Sequence, residues 1–355
     1  MRGGNKLWST IVDYFLILSA IIGVGFASGK EIYVFFFDFG GVSILGLIAF
    51  GLLYVYLFLV IQHISNKLKI NSYSEFNQKI FGKMCKFTNI ILLINFTITA
   101  SGMLAGADYL FDTFFGIRYG IPSLVLSIVA FVVLLGGVNR IKTIANMIVP
   151  IMIIVIVINS IKNITPNNVH LEIVDKNIFM AIYYGLLFGV NNFVTAMPML
   201  FQTKLKSRGK LFSILTICII ILLNILVLAS GGFSSEMPMF ELSQNVSVWF
   251  YYIYFVTLIL ALTSTLIIST FNAKEILSNG KSSRFIIAVV VLMNLIISKS
   301  GYGFIVKYLY VVSGIISGIY VIAMIIFIII KLSIRHNEIK KEKINNIIKY
   351  ISEIK

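Results

Sequence analysis

"IIGVGFASGKEI", residues 21–32, lies inside the first long apolar stretch of the chain. Its reading decides the fold. Gly23, Gly25 and Gly29 come close together, and Lys30 and Glu31 follow at once. Glycine weakens a helix and a charge is costly in hydrocarbon, so an ordinary membrane span avoids both. A span that carries them is expected to break at mid-membrane, leaving backbone groups free for a ligand.

The surroundings are those of a membrane protein. Of the 355 residues, 59% are hydrophobic and 12% charged, and the mean hydropathy is +0.97. No water-soluble core hides that much apolar surface. Stretches of about 20 apolar residues place ten expected spans, at 11–37, 42–63, 87–111, 121–138, 141–161, 178–201, 211–231, 246–273, 285–298 and 308–331. The basic start "MRGGNKLWST" runs straight into the first of them, without a small-residue cleavage site, so that span is expected to be retained.

The net charge of +15 would suit nucleic acid in a soluble protein; here cytoplasmic loops account for it. One set of loops holds Lys67, Lys69, Lys79, Lys83, Lys86, Arg140, Lys142, Lys204, Lys206, Arg208, Lys210, Lys274, Lys281 and Arg284. The opposite set holds only Arg118, Lys162, Lys176, Lys299 and Lys307, among several acids. Both termini are therefore expected on the cytoplasmic side of the cell membrane. The tail from 333 to 355 carries Ile344, Ile347, Ile348, Ile351 and Ile354 at helical spacing with lysines between. It reads as an amphipathic helix on the inner leaflet, or as a disordered basic tail. Cys85 and Cys218 make neither a disulfide framework nor a metal site.

A second polar interruption is expected in the sixth span, "AIYYGLLFGVNNFVTAMPML", with Gly185, Gly189, Asn191, Asn192 and Pro198. It opens the second group of five spans, as residues 21–32 open the first. Matched breaks in two opposed halves point to an inverted repeat, 1–163 and 164–332, built on discontinuous helices 1 and 6. The competing reading is that the glycines only permit close helix packing. With both spans broken, the N–H groups of Ala27, Ser28 and Gly29 would suit a carboxylate. Carbonyls near Ile22 and Tyr184 would receive an ammonium group or sodium. Gly25 would let a ligand approach the backbone, and Phe26 and Phe188 supply either apolar walls or plain packing. Lys30 and Glu31 read as an outer gate, as a lysine standing in for a cation, or as an internal ion pair. Asp13 is open in the same way. Asn95, Thr97, Thr99, Ser101, Ser313, Gly314, Ser317 and Gly318 either line the cavity or pack helices.

Ten spans, "GVGFASGKEI" in the first and a polar sixth resemble the amino acid–polyamine–organocation superfamily, and within it the YkvI-type amino-acid permease family. The resemblance covers essentially the whole chain; the G-x-G-F-A-S-G-x-E-I stretch is its most specific part. It implies a LeuT-type five-plus-five fold and alternating access, with a small amino acid or related solute as substrate, the lipid bilayer as setting and no enzymatic activity. It also implies that two neighbouring hydroxyls of the eighth span, "LALTSTLIISTFNAK", help hold a sodium ion. Thr263 and Ser264 match by position, with Ser264 and Thr265 as the neighbouring alternative. A proton-coupled or uncoupled carrier stays open, as does ordinary bonding of these hydroxyls to helix carbonyls.

A germinant-receptor-type membrane subunit is the main rival, since it would bind an amino acid without moving it. His63, His170 and His336 form no H-E-x-x-H motif, and no G-x-x-x-x-G-K-[ST] loop occurs. A metalloprotease and an ATP-driven pump in this chain are therefore disfavoured. A channel filter would need a symmetry that two unequal breaks do not suggest. No cofactor other than a possible sodium ion, and no obligate protein partner, is expected.

Overall fold

The computed structural model describes residues 2–117, 120–164, 177–203, 209–231, 235–278 and 284–354, and these contain helices and no strand. In chain order the α-helices are α1 (Arg2–Ile21), α2 (Val24–Ser28), α3 (Lys30–Phe36), α4 (Ser43–Lys67), α5 (Tyr73–Phe81), α6 (Cys85–Phe115), α7 (Ile121–Leu135), α8 (Gly137–Asn163), α9 (Ile178–Phe201), α10 (Gly209–Ala229), α11 (Pro238–Leu242), α12 (Val248–Ser278), α13 (Arg284–Ser298), α14 (Tyr302–Phe304) and α15 (Tyr310–Ile354). Among the described residues six helical runs are long and apolar enough to cross a membrane: Lys30–Lys67, Tyr73–Phe115, Gly137–Asn163, Ile178–Phe201, Val248–Leu277 and Tyr302–Lys331. Shorter apolar helices lie at Thr10–Ile21, Ile121–Leu135, Ser213–Ala229 and Arg284–Ser298.

The outer faces of these helices are themselves apolar. Leu52, Ile128, Ile154, Ile296 and Ile322 are all exposed, as a lipid-facing surface requires. Trp249 stands exposed at the start of α12, where an indole suits the membrane–water boundary. Polar groups turn inward instead. Asp108 of α6 accepts a hydrogen bond at 2.9 Å from the Ser123 N–H in the first turn of α7, so a buried carboxylate satisfies an otherwise free helix-end donor.

The first span is broken, as its glycines require. Regular helix stops at Ile21, resumes for five residues from Val24 to Ser28, and turns again at Gly29, whose φ is 76°. Only glycine takes that conformation without strain.

The expected break in the sixth span does not occur: α9 is continuous from Ile178 to Phe201. Its polar side chains bond back to the helix. Asn192 Nδ2 donates to the Phe188 carbonyl at 3.0 Å and Thr195 Oγ1 donates to the Asn191 carbonyl at 3.0 Å. Its glycines serve packing. A methyl on Gly185 would stand 2.2 Å from the Gly46 carbonyl oxygen of α4. Pro198 is accommodated near the end of the helix, and in that region Asn272 of α12 donates to the Thr195 carbonyl at 2.8 Å. Tyr184 therefore offers no freed carbonyl for an ammonium group.

Two helices were not expected. α5 lies in what reads as a basic loop, where Ser72 accepts from the Glu75 N–H at 3.2 Å and Glu75 accepts from the Asn71 N–H at 2.9 Å. This is the reciprocal cap of a helix start. α11 lies between α10 and α12. The tail continues the last span as one helix, α15, to Ile354. The isoleucine face expected in it falls outside the described side chains, as do the loop residues Arg118, Lys176, Lys204, Lys206, Arg208 and Lys281.

Candidate functional site

The break in the first span opens onto a small cavity at the centre of the bundle. Its walls come from the end of α1 (Ala20, Ile21), the break itself (Gly23, Gly25), Glu31 of α3, Thr99 and Met103 of α6, Asn191, Asn192 and Thr195 of α9, Thr265 of α12 and Tyr310 of α15. The volume is about 30 Å³, room for a water molecule or two.

Both glycines of the break are there so that a polar group can touch backbone. A methyl on Gly25 would stand 1.7 Å from Glu31 Oε2, and one on Gly23 would stand 2.1 Å from Thr265 Oγ1. Glu31 is 7% exposed, and its carboxyl is folded back against the break, within hydrogen-bonding reach of the Asn192 side chain. Thr265 Oγ1 and the Tyr310 hydroxyl are buried without a hydrogen-bond partner. Tyr310 follows directly on a π-helical turn, Ile305–Leu309; such turns re-aim side chains and gather at functional sites.

Beside the cavity Asn191 ties three helices. Its Oδ1 accepts from Asn95 Nδ2 at 3.1 Å, from Ser313 Oγ at 2.7 Å and from Ser317 Oγ at 3.3 Å. Asn95 Nδ2 also reaches Ser317 Oγ at 2.6 Å. In an apolar interior a polar knot of this kind fixes the mutual register of α6, α9 and α15, although Asn95 Oδ1 is left without a partner.

The expected carboxylate-binding end at Ala27, Ser28 and Gly29 is already occupied by the protein. The Ala27 N–H donates to the Gly23 carbonyl at 3.1 Å and the Gly29 N–H to the Phe26 carbonyl at 3.2 Å. The Ala27 carbonyl accepts the Tyr254 hydroxyl at 2.6 Å. Ser28 Oγ accepts from the Tyr302 hydroxyl at 3.0 Å and from the Lys30 N–H at 3.2 Å. Phe26 and Phe188 meet with ring centroids 6.0 Å apart. Phe188 also packs against Phe36 at 5.1 Å and Phe50 at 5.2 Å. These rings, with Tyr184 and Gly189, form packing between α3, α4 and α9 away from the cavity wall.

Lys30 and Glu31 do not pair with each other. Lys30 Nζ turns to the other side of α3, donating to the Ser235 carbonyl at 2.9 Å and lying 3.7 Å from Glu236. Asp13 of α1 pairs with Lys142 of α8 at 2.6 Å. One ion pair therefore lies on each side of the break along the chain. Next to the first, α11 covers the break: Met239 lies against Gly29, and Asn159 of α8 donates to the Met239 carbonyl at 2.8 Å.

Thr263 and Ser264 bond to their own helix, Thr263 Oγ1 to the Ile259 carbonyl at 2.7 Å and Ser264 Oγ to the Ala261 carbonyl at 3.2 Å. The hydroxyl that reaches the cavity is the next one, Thr265. Tyr310 was missed in the sequence, although it stands three residues before Ser313 on the same helix.

No known family profile matches the chain. It is 30% identical over 141 residues to the uncharacterized membrane protein YkvI of Bacillus subtilis, covering 39% of this chain and 41% of that protein. The match thus spans about two fifths of the curated relative. Solved structures share the fold over most of the chain. A mutant of the manganese transporter of Eremococcus coleocola superposes with a TM-score of 0.64 at 13% identity, over 91% of this chain and 78% of that one. A nucleobase-cation-symport-1 family transporter in a closed conformation gives 0.59 at 12% identity, over 85% and 73%. A Na+-coupled sialic acid symporter gives 0.54 at 12% identity, over 89% and 86%. The chain is an all-helical membrane protein with a LeuT-type fold, and the solved proteins that share it are transporters rather than enzymes.

Proposed function

We propose that this protein is a secondary transporter that moves a small ammonium-bearing solute, an amino acid or a related amine, across the cytoplasmic membrane by alternating access. The observation that carries the reading is the broken first span: it places Glu31, Thr265 and Tyr310 around a polar cavity while ion pairs hold it on either side. A packed structural core has no use for a buried carboxyl and two unpartnered hydroxyls at one point. The shared fold of the transporters above supports the same class.

The cavity as it stands is too small for an amino acid, which fits a closed state that must open on one side to load. The likeness to a sodium-coupled symporter and to a manganese transporter supports a carrier, and the ammonium-bearing solute is supported by the site chemistry. An anionic group at the centre favours a positive charge on what binds there. The two repeats, 1–163 and 164–332, would supply the moving parts.

The test is uptake of labelled amino acids and their decarboxylated amines into proteoliposomes, with thermal stabilisation of the purified protein by the same panel, each with and without sodium. Uptake of at least one compound, lost in Glu31→Gln, is expected. Stabilisation without flux would favour a receptor, and neither response to any compound would overturn the reading.

A further inference from the structure

The buried carboxyl groups of this protein are not alike. Asp13, Glu31 and Asp108 are the buried acids among the described residues. Asp13 has Lys142 at 2.6 Å. Asp108 caps the start of α7 through the Ser123 N–H. Glu31 has no basic partner: it stands in the first turn of α3 and its carboxyl lies against Gly25 in the first turn of α2, and the ends of helices of seven and five residues do not replace a counter-charge. The adjacent Lys30 is committed to Ser235 and Glu236. The titratable groups that face Glu31 from other elements are the phenols of Tyr310 on α15 and Tyr302 on α14, with Glu236 beyond them. Neither a phenol nor a second carboxylate neutralises an anion. Toward it α6 presents Thr99 and Met103, α9 presents Asn191, Asn192 and Thr195, and α12 presents Thr265. None of these carries a charge.

An unpaired carboxylate in such a place is strongly disfavoured. Something positive must accompany it. The cavity of about 30 Å³ shuts out an organic cation, and of the small cations a proton alone needs no ligand cage, the hydroxyls of Thr263 and Ser264 being spent on their own helix. We infer that Glu31 is a carboxylic acid in this closed state, and that the ammonium group of an arriving solute takes the proton's place. This rests on the transport reading above and specifies its coupling: the carrier exchanges one proton for one ammonium solute. The balance is simple. As the solute's R–NH3+ enters, the Glu31 O–H proton leaves to water on the open side, and the site keeps the same net charge. On the return the carboxylate takes a proton from the other side as the ammonium leaves. A bare carboxylate does not cross, because the closed state offers it no partner. That forbids a slip in which the carrier returns empty.

The geometry also bears on which solutes enter. The Glu31 carboxyl lies against the break at Gly25, so an amino acid brings a second anion into a cavity that already holds one, whereas a simple amine does not, and simple amines should bind better than their parent amino acids.

Infrared difference spectroscopy of the full-length protein in nanodiscs, in sodium-free neutral buffer, reads the group directly. Wild type should show a carboxylic-acid C=O band, shifted in D2O, that Glu31→Gln lacks. Saturating ethylammonium chloride should abolish that band in wild type and release about one proton per protein to a pH dye; glycine should do so only at higher concentration. No such band in wild type, its loss on adding sodium chloride instead, or its persistence in ethylammonium would each overturn the inference. If Glu31→Gln does not fold, the acid-minus-alkaline spectrum of wild type and of Glu31→Asp reads the same group, and no titrating acid band in either would also overturn it. The two readings fail separately. An intact band with no uptake of any compound removes transport and leaves a protonated Glu31. Uptake with no band keeps transport and removes the exchange.

Discussion

Gly25 is the point at which a carboxyl group and the first span's backbone touch, and its missing side chain is the reason they can. A methyl there would also lie 2.8 Å from Glu31 Cδ and 2.9 Å from its Cβ, so no rotation of the carboxyl alone relieves the clash. Gly25→Ala should therefore abolish uptake while the protein still folds, read by flux and by size-exclusion profile together. The hydroxyls of α12 divide sharply by one residue. Thr265→Val should reduce solute binding several-fold, whereas Thr263→Ala with Ser264→Ala should leave it near wild type, because those two hydroxyls are spent on their own helix. Sodium-dependent binding lost in the second variant and kept in the first would reverse the assignment. Gly25 and Glu31 are legible from sequence because both are expensive in a span. Thr265 is legible only as one of two neighbouring choices, since hydroxyls in membrane helices are common and the fold shows which one lacks a partner.

At the level of single helices, α1 to α3 and α9 show the two things glycine does in a membrane. In the first span it permits a turn that other residues resist. In the sixth it lets two backbones touch, and Gly185 against Gly46 is that contact. Gly185→Ala should lower stability by about 1–3 kcal/mol through overpacking. Gly189→Ala, whose methyl would meet a Phe50 ring atom at 3.1 Å, should cost less. Equal thermal unfolding of the two would contradict this account. The sequence shows where glycines and polar residues collect but not which use applies. That depends on the facing helix: α4 presents a glycine to Gly185, and nothing local in "YYGLLFGVNN" reveals it. The asparagines likewise look like a break and act as a knot. Asn191→Ala would remove the acceptor that Asn95, Ser313 and Ser317 share, and should cost about 1–3 kcal/mol for the buried donors left with poorer partners.

Over the whole molecule, the two ion pairs hold opposite sides of the same broken span. Removing one partner of a fully buried pair costs about 3–5 kcal/mol, and less here because the Lys142 side chain is 20% exposed. Lys142→Met should destabilise more than the double variant with Asp13→Asn, since the double leaves no unmatched charge. A thermal-unfolding cycle that proves additive would show that the pair does not couple. The membrane class and most helices are legible from apolar run length alone, because hydrocarbon imposes its thickness on the chain. The short helices α5 and α11 escape that rule, being held by caps and by contacts with distant segments. Sidedness rests on lysines and arginines that lie partly outside the described residues. Terminal tags should be accessible to protease in inverted vesicles and protected in intact cells, and the opposite pattern would reverse the orientation.

α3 is only seven residues long, a rod of about 10 Å, yet it carries Lys30 toward one face and Glu31 toward the other. Neither side chain can move far without the other while the rod stays helical, and Gly29 at its foot is the natural pivot. Latch and proton site are then two ends of a lever, and by thermodynamic reciprocity whatever loosens one must alter the grip of the other by the same factor. Glu236→Gln, which weakens the latch without touching the cavity wall, should let water reach Glu31 and make its acid band vanish at a lower pH than in wild type. Proton occupancy would in turn hold the latch shut. A carrier wired in this way tells one of its surfaces when its centre is charged, through about two turns of helix.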